Sequence, residues 1–415
     1  MAALLKDLRS PNPDLFVISH SGARAGAPMV MLHLLRWLER ETDLDVRTIL
    51  LHGGAMQEEF EDLGARVLGG AGSRLWMIQR GLTNLGLQRP AAALAMSRLG
   101  PTMWANRSAS LILLNSVGSL PALQFLPEDA PGKIVLFVHE LDQSFERTIG
   151  PRVWEKLAPR VDHFITCADA VTELLVSRKG IDPTKVSCHR GFIEAPQVEP
   201  LRASYVKRSL GIPPDATVIG AVGRPDWRKA PELFIRLARD VHRRRRDLDL
   251  HFVWLGGPTD TAEGWYMVHD FEAAGLHGRF HLPGEVVRPE EVMALFDVFV
   301  LTSREDSYPL AMVEAAALGV PIVSFDNGGV RELASAGGDR PLAKVVPYLD
   351  VDAMVDATLN LLEDPDARAD QAERAREHIL STHLTHQAAP RLLDCLADLE
   401  PGLAVRRIDR TARSA

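Results

Sequence analysis

Residues 303–323 read SREDSYPLAMVEAAALGVPIV, and this stretch concentrates groups suited to holding a charged ligand. An apolar run, Val298-Phe-Val-Leu301, precedes it; Pro309 falls in the first turn of a helical pattern that Gly319 closes. Proline suits a first helical turn, where its missing N–H has no partner anyway, and glycine suits the left-handed C-terminal cap. The spacing predicts strand, loop, helix, glycine stop and strand. Ser307, Tyr308, Pro309 and Leu310 then turn the open amide end of a helix toward the strand end, where an anion is favoured. Two carboxylates, Asp306 and Glu314, bracket this cradle. On a regular helix eight residues span about 12 Å along the axis and turn by about 80°. That layout suits a ligand with phosphates in the middle and hydroxyls at both ends, as in a nucleotide-sugar. An acidic helix start stabilised by its dipole is the simpler alternative, but Glu314 interrupts the apolar face of Leu310, Met312, Val313 and Leu318.

Two further clusters follow strands and precede helices. Gly223-Arg-Pro-Asp-Trp-Arg-Lys-Ala230 places Arg224, Arg228 and Lys229 in one loop, where a diphosphate can meet cations and a helix N-terminus together. Asp326-Asn-Gly-Gly-Val-Arg-Glu332 has paired glycines, which let backbone approach a ligand closely. In the first half, Gly26 lies in a loop between the run Leu15–Ser19 and a helix expected from about Pro28 to Arg40, and His139 and Glu140 end the run Ile134–Val138.

The elements that must position these groups alternate between short apolar runs and helical stretches, the pattern of strand-helix-strand units in parallel sheets. Strands are predicted at 15–19, 46–52, 111–114, 134–139 and 163–167. After a proline-bearing linker at 192–203, a second series falls at 218–222, 251–255, 279–282, 298–301 and 321–324. A helical stretch from Asp364 to Leu399 closes the chain. The fold class is therefore α/β, with two doubly wound domains: residues 1–195, residues 204–380, and a closing helix and tail at 381–415 that returns toward the first. The chain has 415 residues, is 46% hydrophobic and 25% charged, and carries a formal net charge of -8; that is globular composition with an acidic balance, which speaks against nucleic-acid binding. Three scattered cysteines provide neither a disulfide framework nor a zinc cage and fit a cytoplasmic setting. The start, MAALLKDLRSPNP, is too polar for a secretory signal, and the uncharged stretch 108–127 is interrupted by Asn115, Ser116 and Pro121 and reads as a buried strand and loop.

Asp306-x7-Glu314, followed by Gly319-Val-Pro-Ile-Val323 and Gly328-Gly329-x-x-Glu332, resembles the E-x7-E region of family 4 retaining glycosyltransferases, which have the GT-B fold of two Rossmann-like domains facing each other across a cleft. Gly223-Arg224 with Lys229 resembles that family's phosphate loop, Gly256-Gly257 its strand-end glycines, Gly275-Leu276 through Gly284 a further segment, Gly26-Ala27 its glycine-rich loop, and Phe137-Val-His139-Glu140 its strand-end histidine. The resemblance implies a retaining, metal-independent transfer of a hexose-type sugar from a nucleoside diphosphate donor, UDP by default, to an acceptor hydroxyl on a saccharide, a lipid-linked or a small molecule. It implies that Arg224 and Lys229 bind the diphosphate, Glu314 the ribose and Asp306 the sugar hydroxyls. His139 is implied near the sugar and Gly26 near the phosphates, with Asn115 and Glu140 on the acceptor side; no cofactor is implied. The sequence departs from the pattern in having Asp306 for the first glutamate, with Glu305 beside it, and Lys229-Ala230 for lysine-glycine.

Four D-x-D strings, at 43–45, 247–249, 350–352 and 364–366, lie before strands or at helix starts and read as turns and caps rather than metal sites. Between Asp62 and Glu128 there is no acid, but Arg66, Arg74, Arg80, Arg89, Arg98 and Arg107 are interleaved with Leu75, Trp76, Met77, Leu85 and Trp104. Segment 66–107 is thus either a solvated arginine face or a peripheral membrane contact. Two rival readings are a nucleotide-sugar-binding protein of the same fold without transfer activity, and a phosphorylase-like enzyme using pyridoxal phosphate, for which no lysine stands out.

Overall fold

The structure, a computed structural model, describes residues 12–69 and 99–406. The stretch holding Arg74, Arg80, Arg89 and Arg98, with Leu75, Trp76, Met77 and Leu85, lies outside the described residues. The chain divides into two compact units: one runs to Phe192 and is rejoined from Thr385 onward, and the other is Ile193–Leu384.

The first unit is built on seven parallel strands: β1 (Leu15–Ser21), β2 (Val46–His52), β3 (Arg66–Val67), β4 (Leu111–Asn115), β5 (Lys133–Val138), β6 (His163–Thr166) and β7 (Val186–Cys188). Their order is β3-β2-β1-β4-β5-β6-β7. The central strands are apolar throughout because helices cover both faces of such a sheet; Leu15–Ile18 and Leu111–Leu114 are fully buried. The strand order reverses between β1 and β4. In such sheets ligands bind outside the carboxyl ends of the strands at that point. Ser19 of β1 is in register with Asn115 of β4, and Asn115 with Phe137 of β5, so the groups that follow these strands are neighbours.

The second unit repeats the scheme with β8 (Thr217–Val222), β9 (Leu250–Leu255), β10 (Phe280–Gly284), β11 (Val298–Leu301), β12 (Ile322–Phe325) and β13 (Lys344–Val346), in the order β10-β9-β8-β11-β12-β13. Its reversal point lies between β8 and β11. The loops at 223–230 and 302–309, far apart in sequence, therefore flank one crevice. Gly220 of β8 makes room for the Phe296 ring that precedes β11: a Cβ there would lie 2.2 Å from it.

Asp350 and Asp364 cap the helices Val351–Glu363 and Pro365–Thr382, their carboxylates accepting from the amides of Ala353 and Ala367 at 2.9 Å. The basic run 242–246 is more than a solvated helix end. Arg244 pairs with Asp356, Arg245 with Glu363 at 2.9 Å, and the preceding turn adds Arg236–Asp352 at 3.2 Å, lacing two helices together. The long closing helix breaks in two. Pro365–Thr382 stays in the second unit, whereas Thr385–Leu399 packs on the helix Gly26–Glu41 of the first. No helix among the described residues is long and apolar enough to cross a membrane.

Candidate functional site

In the second unit, β8 ends at Val222 and the chain turns sharply at Gly223, with φ 151°. A Cβ at Gly223 would stand 2.9 Å from three carbons of the Lys229 stem, so the glycine makes room for the lysine. Lys229 is buried, and its ammonium donates to Asp306 Oδ2 at 2.7 Å, while Arg228 Nη1 bonds Asp306 Oδ1 and, at 3.3 Å, the Glu305 carbonyl. Backbone links close the clamp: Thr302 Oγ1 donates to the Lys229 carbonyl at 3.0 Å, and the Arg304 amide to the Arg228 carbonyl at 2.7 Å. Burial pushes the Lys229 ammonium below its usual range, with Asp306 acting in the opposite sense. Burial also works to raise the Asp306 carboxyl, but Lys229 and Arg228 together outweigh it and hold it below the usual carboxylate range. The pair is thus buried and tightly held.

This geometry corrects the reading of Asp306. It lies outside the helix, bridged to Gly328 four residues before Leu310, so its eight-residue separation from Glu314 is not a helical span. Both its oxygens are occupied by cations; in this state its carboxylate positions Arg228 and Lys229 rather than standing open for sugar hydroxyls. The substitution at Ala230 also acquires a meaning. Ala230 is buried at φ 54°, a left-handed conformation that costs a non-glycine residue about 1–2 kcal/mol.

Arg224 is exposed, and its carbonyl accepts the Asp226 amide at 2.8 Å. Pro309 is the residue before the helix Leu310–Ala317, at φ -66° and ψ 118°, and not in its first turn. Gly319, at φ 72°, ends the helix as expected: its amide bonds the Ala316 carbonyl and that of Val320 the Ala315 carbonyl, both at 2.9 Å. Glu314 is half-buried in this helix. Tyr308 is buried, its hydroxyl on His383 Nε2 at 2.7 Å. In the glycine pair at 328–329, Gly329 makes room for the loop. A Cβ on Gly329 would lie 2.0 Å from the Ser307 carbonyl oxygen and 2.8 Å from the Tyr308 ring.

In the first unit, Gly26 opens the helix Gly26–Glu41 after an extended Ala25, with no side-chain cap. Asn115 is fully buried and donates through Nδ2 to Ser19 Oγ at 3.2 Å and the Ala27 carbonyl at 3.0 Å. Its Oδ1 is therefore the acceptor facing His139 Nε2 at 2.9 Å, which puts the imidazole proton on Nε2 and the lone pair on Nδ1. Asn115 thus orients His139 and has no amide group left for an acceptor molecule. Glu140 is likewise committed: it takes the Ser116 hydroxyl and the amides of His139, at 3.0 Å, and Val117, at 3.3 Å, holding Ser116 at φ 80°. Sequence reasoning missed Ser19, Ser116 and His20, which lack any local signal.

Burial, then the neighbouring His20, push the His139 pKa down to about 3, so the ring is neutral near pH 7. A histidine depressed in the folded state contributes stability that is complete above its unfolded pKa of about 6.5 and is lost as pH falls below it. Between pH 7 and pH 5 the loss from His139 is about 2 kcal/mol. His139→Gln, which cannot titrate, is expected to show a flatter Tm over that interval than the wild type; parallel curves would refute it.

Residues 216–364 match the family model described as glycosyl transferases group 1. The D-inositol 3-phosphate glycosyltransferase 2 of Catenulispora acidiphila is 30% identical over 233 residues, covering 54% of this chain and 53% of that one; the chain spans about half the length of the curated relatives it matches. HepE of Anabaena in complex with UDP-glucose superposes with a TM-score of 0.75 at 15% identity, covering 93% of this chain and 99% of that one. WaaG, a glycosyltransferase involved in lipopolysaccharide biosynthesis, superposes with a TM-score of 0.67 at 12% identity over 93% of this chain and 99% of that one. The two doubly wound sheets are those of GT-B structures.

Proposed function

We propose, from the match of residues 216–364 to the glycosyl transferases group 1 model, that the protein is a retaining glycosyltransferase that moves a hexose from a UDP-sugar to an acceptor hydroxyl. The observation that supports this most is the clamp at the reversal point of the second sheet, where Lys229 and Arg228 are fixed by Asp306 beside the start of the helix Leu310–Ala317. Cations and open helix amides together favour a diphosphate. As the glycosidic bond breaks, negative charge grows on the departing phosphate; fixed cations answer it without reorganisation, with Lys229 and the exposed Arg224 in that role. Glu314 takes the ribose hydroxyls. The departing phosphate takes the acceptor proton on the same face, so no protein nucleophile is needed. The first unit carries the acceptor side, where His139 is neutral. The name of the Catenulispora relative brings a phosphorylated polyol into the acceptor panel, and the HepE complex supports UDP.

The test is a thermal-shift panel of UDP, GDP, ADP and dTDP on the wild type and on Glu314→Ala, followed by release of UDP from UDP-sugars with saccharide, polyol-phosphate and lipid-linked acceptors. A ligand at a hundred times its Kd stabilises by about 2.7 kcal/mol, enough for a clear rise in Tm. UDP is expected to give that rise, and Glu314→Ala to weaken UDP binding roughly tenfold or more through loss of a charge-assisted hydrogen bond. No response to any nucleotide rejects the site; binding without turnover on any acceptor favours a nucleotide-sugar-binding protein.

A further inference from the structure

The loop that precedes the helix Leu310–Ala317 is tied to the place where the chain passes between its two units. Tyr308 is buried and stacks on His383, with ring centroids 5.6 Å apart and planes 1° from parallel. Its hydroxyl lies 2.7 Å from His383 Nε2, and His383 Nδ1 lies 2.6 Å from Thr382 Oγ1. Proton directions follow from the end of the chain. Thr382 Oγ1 bonds the His378 carbonyl, which can only accept, so the threonine oxygen accepts from His383 Nδ1–H. Nε2 is then a lone pair, and Tyr308 donates to it.

The backbone of His383 carries the link onward. Its carbonyl accepts the Ile193 amide at 3.0 Å, and Ile193 and Leu384 form a parallel bridge. The chain enters the second unit between Phe192 and Ile193 and leaves it between Leu384 and Thr385. The two crossings are therefore paired to each other through the residue that holds Tyr308. On its other side the Tyr308 loop rests on Gly329, with Ser307 and Tyr308 against a position that has no room for a Cβ. The loop is thus held between Gly329 and His383.

We propose that His383 is a positioning residue that couples occupation of the loop 306–310 to the paired crossings at 193 and 384 through the Tyr308 hydroxyl. This rests on the reading that a nucleoside diphosphate occupies that loop.

Amide hydrogen exchange at Ile193 reads the coupling directly. In the unliganded protein Tyr308→Phe keeps the ring and loses the hydroxyl; Ile193 exchange is expected to quicken roughly three- to tenfold, the range set by one hydrogen bond, with β8 amides unchanged. His383→Gln, which retains an acceptor for Tyr308, is expected to restore most of the protection that His383→Ala loses. UDP is expected to slow Ile193 exchange in the wild type and to leave it unaltered in Tyr308→Phe at UDP concentrations where a thermal shift shows that variant to be occupied. Unchanged Ile193 exchange in unliganded Tyr308→Phe overturns the proposal, as does an equal UDP effect in wild type and variant. A wild type that binds UDP without any change at Ile193 overturns the coupling alone. A wild type that binds no nucleoside diphosphate removes the occupied-loop reading and the coupling with it.

Discussion

Lys229→Ala is expected to lower kcat by 10²–10³-fold, matching the roughly 2.7–4 kcal/mol lost when one preorganised donor to a developing charge is removed. The effect falls mainly on kcat because the departing phosphate carries more charge in the transition state than in the bound sugar-nucleotide. The variant also leaves Asp306 buried with Arg228 as its remaining cation, so a fall in Tm accompanies the loss. Lys229→Arg is not expected to restore activity. The lysine stem lies where a Gly223 Cβ would be 2.9 Å away, and a planar guanidinium has no space to turn there. The measurement is steady-state release of UDP at saturating donor. A kcat within a factor of a few of the wild type would show that the diphosphate is held elsewhere.

Gly329→Ala is the second large effect. The new methyl would stand 2.0 Å from the Ser307 carbonyl oxygen, and since the obstacle is backbone, the loop itself must move. Overpacking of this kind costs about 1–3 kcal/mol, and displacement of a positioning loop by 1 Å costs on the order of 10² in rate. The expected result is a folded protein by circular dichroism with a lowered Tm and turnover reduced about a hundredfold. Gly150→Ala, whose Cβ meets nothing within 4 Å, serves as the control and leaves both values unchanged. If the two variants behave alike, the packing of 329 against 307 does not set the loop.

The strands of both sheets were legible because buried parallel strands write themselves as apolar runs. β11 coincides with its expected span, and β9, β10 and β12 differ by one or two residues. The edge strands β3, β7 and β13 were not, since two or three residues carry no period. The cations at 224, 228 and 229 and the carboxylate at 306 were visible as types at strand ends. That Asp306 is already bonded to two of them was not, because the contacts join residues 78 and 77 apart and composition says nothing of which partner a charge selects. The same holds for Asn115, whose three side-chain partners come from β1, a helix start and the residue after β5. The glycine pair at 328–329 shows the limit from another side: sequence reveals that space is needed without revealing what fills it.

Since the helix Thr385–Leu399 belongs to the first unit, the order of synthesis and the order of completion differ. A growing polypeptide has the whole of Ile193–Leu384 available before Ala388, Ala389, Leu392, Leu393 and Leu396 emerge to be buried with the earlier half. The later-made unit is thus the first able to finish folding on the ribosome, reversing the usual N-terminal precedence. Nascent chains halted before residue 385 leave a flank of the helix Gly26–Glu41 bare, exposed to chaperones until the final helix arrives.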